Sequence, residues 1–228
     1  QALALYELAR AGLLATIVSR DASVGTLKNL VFERSSEGAN ERIKEQSVRI
    51  KSSTATNSFA AVRTASDFVA KGFLIEDHNG RRILGPDAET LLNPSFITGY
   101  CFRIDVDGER PRQLGLGFFA ATRRPDTRVD IDGTLWVDTA ARVVKSIEFR
   151  FVGLPEERNI RPGGRISFQE MPNGAVIIDQ WWFRQLDARP AGSSGTVRPG
   201  EARVWYDMHE AGGELAHAKW PNGQEWEA

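Results

Sequence analysis

Alternation is the feature that most restricts this chain. In Ile131-Asp132-Gly133-Thr134-Leu135-Trp136-Val137 and Ser146-Ile147-Glu148-Phe149-Arg150-Phe151 the large apolar residues keep to one parity, and Asp138-Thr139-Ala140-Ala141-Arg142 between them has the composition of a turn. A period of two over consecutive strands means that one face of a meandering antiparallel sheet is apolar and has to be covered. The same reading extends to strands at 100–106, 113–121, 128–137, 143–152, 165–170, 176–184 and 202–208, with turns at Asp107-Gly108 and Pro172-Asn173-Gly174. The expected fold is mainly β: a strongly curved antiparallel sheet or half-barrel, covered by one or two helices.

A chain of 228 residues can close one such β domain with a real core. The expected organisation is a single domain over 1–228: an N-terminal helix at 1–20, a first hairpin at 26–51, the main sheet at 95–208 and a C-terminal tail at 209–228. Residues 2–18 set Leu5, Leu8, Ala9, Leu13 and Ile17 at spacings of three and four, the pattern of an amphipathic helix, interrupted by Gly12. Its plainest use is to cap the sheet. In the hairpin at 26–51 the alternation is weaker and charges are frequent, which suits a defended sheet edge. Residues 64–72 read as a short helix, capped by Thr64 or Ser66 and stopped by Gly72. Asn79-Gly80 marks a further hairpin, 87–92 one helical turn ended by Asn93-Pro94, and 188–200 a Gly- and Pro-rich excursion.

Composition narrows the function classes. Twenty-nine Lys and Arg against thirty Asp and Glu give a formal charge of −1, without the basic stripe of a nucleic-acid binder. One cysteine, Cys101, excludes an internal disulfide framework and a multi-thiolate metal site. No transmembrane segment is expected from the run lengths. The chain opens on Gln1, as a processed or excised segment would.

Catalytic vocabulary is sparse. Asp105-Val106-Asp107-Gly108-Glu109 and Asp130-Ile131-Asp132-Gly133 lack the further oxygen ligands of a calcium loop and read as turn and strand carboxylates. His78, His209 and His217 lack the spacing of a metal site, no nucleophile elbow is present, and Gly163-Gly164 reads as a turn. No catalytic residue, metal ligand or cofactor is therefore expected. What remains is surface. Leu116, Phe118, Leu135, Val137, Ile147, Phe149, Phe151, Trp181 and Phe183 are candidate ligand-binding residues on the concave face, which is either a plugged core or an open trough. Trp181 and Trp182 must point to opposite faces, so Trp182 joins Trp136 as a candidate partner-binding residue on the second face.

Taken in order, Gly85-Pro86-Asp87-Ala88-Glu89-Thr90-Leu91-Leu92, Tyr100-Cys101-Phe102-Arg103, Leu114-Gly115-Leu116-Gly117-Phe118, Asp132-Gly133-Thr134-Leu135-Trp136-Val137-Asp138, Ile147-Glu148-Phe149-Arg150-Phe151, Phe168-Gln169-Glu170-Met171-Pro172-Asn173-Gly174 and Trp181-Trp182 form a pattern. It resembles the C-terminal region of bacterial envelope proteins that carry a carboxypeptidase-regulatory-like domain. By strand pattern it is also similar to the curved sheets of lipoprotein carriers. The resemblance implies a non-enzymatic, extracytoplasmic domain of the periplasm or outer membrane that binds a lipid, another apolar ligand or a partner on its concave face. The alternative is an interaction module docking an outer-membrane protein, and the third reading is a hydrolase with an unrecognised site.

Overall fold

The computed structural model describes residues 2–21, 25–37, 42–53, 65–77, 80–83, 85–122, 128–154, 162–189 and 204–228. Helix α1 spans Ala2–Asp21 and is followed by the hairpin β1 Thr26–Glu37 and β2 Arg42–Ser53. A helical insert with a small hairpin comes next: α2 Ala65–Lys71, β3 Leu74–Asp77, β4 Gly80–Ile83, α3 Ala88–Leu92 and α4 Pro94–Gly99. The meander is β5 Tyr100–Asp105, β6 Gln113–Ala120, β7 Asp130–Asp138, β8 Val143–Val152, β9 Gly163–Glu170, β10 Val176–Arg189, β11 Val204–Lys219 and β12 Glu225–Glu227. Ten strands form one open antiparallel sheet in the order β2-β1-β11-β10-β9-β8-β7-β6-β5, with β12 paired to β11. The mainly β class and the helical cover are as the alternation requires.

Local chemistry sets the turns. Between β7 and β8, Asp138 Oδ1 accepts from the backbone N–H of Ala140 and of Ala141, both at 3.0 Å, and Arg142 turns through a left-handed φ of 58°. Asp87 caps α3 by accepting from Thr90 N at 2.7 Å. Asn93 ends α3 and also caps α4, whose first residue is Pro94. The Asn93-Pro94 stop expected from sequence is thus also a start, because proline is pre-set for the first helical turn.

Bulges crease the sheet along a line. Across the outer face runs the paired row Trp136–Ser146–Ser167–Gln180–Glu214–Leu30. Immediately to one side of it, Lys145 in β8, Asp179 in β10 and Ala216 in β11 are left unpaired by register shifts. Each bulge bends its strand and shifts its parity by one. Val144 and Ile147, and likewise Ile178 and Trp181, therefore pack on the same face although three residues apart.

Helix α1 lies across the inner face and sets Leu5, Ala9 and Leu13 into one cluster with side chains of β5 to β10. Burying each of those two leucines contributes about 2 kcal/mol. Gly12 fixes how closely the helix sits, since a Cβ there would fall 2.6 Å from Val144 Cγ2 and 2.9 Å from Val144 N. The insert is held by Arg128, which donates to Val69 O at 2.6 Å and Ala70 O at 3.1 Å in the last turn of α2 and lies 3.0 Å from Asp130. Tyr100 donates to that same carboxylate at 2.8 Å. Beyond the crease, Leu27, Met171, Ile177, Leu215, Ala218 and Trp220 form a second, smaller cluster.

The structure departs from the sequence expectations at three points. The segment expected as a tail from 209 is strand: β11 continues to Lys219, paired with β1 along its length, with β10 as far as Glu214 and with β12 at 217–219. Gly163-Gly164 is the start of β9 and pairs with Phe149 and Arg150. α1 has a mean hydropathy of 1.4 over Ala2–Ser19 and is long and apolar enough to cross a membrane by length and composition, whereas no such run was expected. The 188–200 excursion falls largely outside the described residues, as do the connection at 54–64 and His78.

Candidate functional site

The inner-face candidates are core. Leu116, Phe118, Leu135, Val137, Ile147, Phe149, Phe151 and Phe183 are each no more than 7% exposed, and Trp181 is half-buried beside them. The ring of Phe149 packs 5.4 Å from Phe151 and 5.7 Å from Phe183, and Trp181 lies 5.6 Å from Phe183. Leu5, Ala9 and Leu13 of α1, with Phe68, Phe73 and Phe96 of the insert, close the same cluster from above. The protein's own helices occupy the expected trough, and a ligand entering it would have to displace α1.

Trp136 and Trp182 share the outer face as expected, but only one of them is open. Trp136 is buried to 7% exposure beneath the β5–β6 connection, correcting its place as a docking residue. The Arg110 guanidinium lies 4.4 Å from its ring centroid and is held by Glu148 at 2.7 Å and Asp107 at 3.4 Å. That cation–π stack covers the ring from solvent. Trp182 is 42% exposed.

The register explains what surrounds Trp182. One row crosses the whole sheet: Arg103–Gly117–Thr134–Glu148–Arg165–Trp182–Gly212–Phe32–Val48. On one side of Trp182 the row is polar, with Glu148 3.7 Å from Arg165. On the other side it is apolar. Gly212 makes room there, because a Cβ at that position would meet Phe32 Cε1 at 2.3 Å, so the Phe32 ring lies over β11 next to Trp182. Leu30 and Ile50 belong to the neighbouring row, and with Phe32, Val48 (57% exposed) and Trp182 they leave five large apolar side chains in solvent on β1, β2 and β10.

Trp182 lines three adjoining depressions: one of about 430 Å³ with Leu30, Phe32 and Val48, one of about 360 Å³ with Arg34 and Glu210, and one of about 710 Å³ with Arg103, Glu148 and Arg150. Its rim is pinned by Glu210, buried between two arginines: Arg34 Nε donates to it at 2.7 Å and Arg184 Nε at 2.6 Å.

The carboxylates that tempt a metal reading are engaged elsewhere. Asp105 accepts from Arg103 at 2.8 Å and Thr134 Oγ1 at 2.9 Å, and Asp132 accepts from Arg150 at 3.1 Å. Among the described residues no group of three or more His, Cys, Asp or Glu could hold a metal ion. What this surface can do is bury an apolar group against Trp182 and Phe32 while charged neighbours orient its polar end. Sequence reasoning missed Leu30, Phe32, Val48 and Ile50. The alternation within β1 and β2 was visible, but only the pairing through Gly212 sets those residues beside Trp182.

Fold and surface together define a mainly β protein with one open, helix-backed antiparallel sheet whose uncovered face carries an apolar patch. No protein-family model, curated protein or solved structure matches this chain.

Proposed function

We propose that the protein is a non-enzymatic binding module of a bacterial envelope, and that it takes an apolar ligand or the apolar segment of a partner on its outer face around Trp182. The observation that carries this reading is the cluster of five solvent-exposed apolar side chains on β1, β2 and β10, joined to a depression of about 430 Å³. Soluble surfaces seldom leave such side chains contiguous unless something docks there. The extracytoplasmic placement rests on the sequence resemblance alone. Titration with oleate as an apolar probe tests the site. Trp182→Ala should weaken binding about tenfold, as expected for loss of a central aromatic anchor, with far-UV circular dichroism and Tm unchanged. Equal affinity in the variant would exclude the outer face.

A second reading keeps the ligand on the inner face, and α1 supports it: Leu3, Leu14 and Val18 are exposed on the helix's far side beside the Glu7–Arg10 pair, and the mean hydropathy over Ala2–Ser19 is 1.4. Such a helix could exchange its contacts with the sheet for contacts with lipid. In this reading Phe149 and its neighbours bind only after α1 lifts.

A further inference from the structure

β2 is the last strand of the sheet. Every side chain from 42 to 52 is exposed, and no described strand pairs with its far edge. It has the length to template another strand, and its outer side is apolar where an edge is usually defended by charge: Ile43, Val48 and Ile50 all stand in solvent there. The opposite side carries Glu45, Ser47, Arg49 and Lys51.

We propose that a second copy of this chain pairs antiparallel with the free edge of β2, about a two-fold axis through Val48, so that one sheet runs across both molecules. Residues paired across antiparallel strands share a face, so a two-fold axis normal to the sheet must pass through a residue facing its own copy. Four such centres fall in the middle of the strand. A centre at Arg49 sets arginine against arginine. One at Gln46 sets Glu45 against Ser47 and Val48 against Lys44, the residue that the bulge in β2 leaves unpaired with β1. The centre at Ser47 sets Glu45 against Arg49, but Arg49 is already bound to Glu33 at 2.6 Å. The Val48 centre opposes Val48 to Val48, Gln46 to Ile50 and, twice over, Glu45 to Lys51. Neither Glu45 nor Lys51 has an ion-pair partner among the described residues. This register satisfies both charges and brings the two apolar outer strips together across the axis.

Pairing along one edge buries less than the roughly 1,200 Å² of a stable interface, so the dimer is a weak one that forms at high concentration. It does not depend on the ligand reading of the outer face. Sedimentation velocity from about 10 to about 500 μM covers the range expected for such a contact. Wild type should shift toward dimer across it. Glu45→Lys and Lys51→Glu, each of which opposes like charges twice, should weaken dimerisation at least about tenfold, and the double variant E45K/K51E should restore it. All four proteins should have the same circular dichroism spectrum, because both side chains are exposed. A wild type that stays monomeric throughout would overturn the proposal, as would single reversals without effect or a double variant that fails to recover.

Discussion

Adjacent tryptophans in one strand must face opposite ways, and 181 and 182 do: Trp181 turns into the core and Trp182 into solvent. Trp136 shows where such reasoning stops, because parity sets its face but not the arginine that covers it. Trp136→Ala should cost about 3 kcal/mol in chemical denaturation, in line with loss of a buried aromatic, and leave oleate affinity unchanged. Glu210 is the other side chain whose role only the register exposes. Glu210→Gln removes the charge shared by Arg34 and Arg184, and should lower stability by about 2 kcal/mol, discounted for the partial exposure of both arginines. Asp179 gives a pH prediction. Burial is the chief cause that pushes its carboxyl above the ordinary range, and its Oδ1 has no hydrogen-bond partner. The native state therefore holds a proton that the unfolded chain has already lost, and stability falls as pH rises through the window above 3.8. Asp179→Asn should raise Tm at pH 7, and the gain should vanish below the ordinary aspartate value.

Nine of the sheet's ten strands and the turns at Asp107-Gly108, Asp138–Arg142 and Pro172-Asn173-Gly174 were readable from alternation and turn chemistry, as were α1, α2 and α3; β12 was not. Bulges were not, because an extra residue such as Lys145 or Asp179 looks like ordinary sequence until the neighbouring strand shows it unpaired. Hence a strict period of two fails between Ile178 and Trp181. β11 was cut short for a related reason: Glu210, Gly212 and Gly213 look like a break, yet pairing on both sides carries the strand through them. Helix docking depends on one small residue. Gly12→Leu has no room against Val144 and should lower Tm by several degrees, the effect of a few kcal/mol of overpacking, with increased binding of a hydrophobic dye at the loosened inner face.

For the molecule as a whole, alternation established that one face must be covered and left open whether the cover is a plug or a lid. The structure places α1 and the insert directly on that face, and leaves the opposite one bearing the apolar strip that no single strand's sequence could display. If binding belongs to the outer face, α1 need never move. A disulfide between Gly12→Cys and Val144→Cys, in a Cys101→Ser background, would tie the helix to β8: a Cβ on residue 12 lies 3.3 Å from Val144 Cβ and 2.9 Å from Val144 N, so α1 has to back away by roughly half an ångström to reach disulfide spacing, and circular dichroism of the oxidised form checks that the fold is kept. Oleate titration of the oxidised and reduced forms then separates the two faces. Equal affinity in both forms is the predicted result, and loss of binding on oxidation, with recovery on reduction, would contradict it.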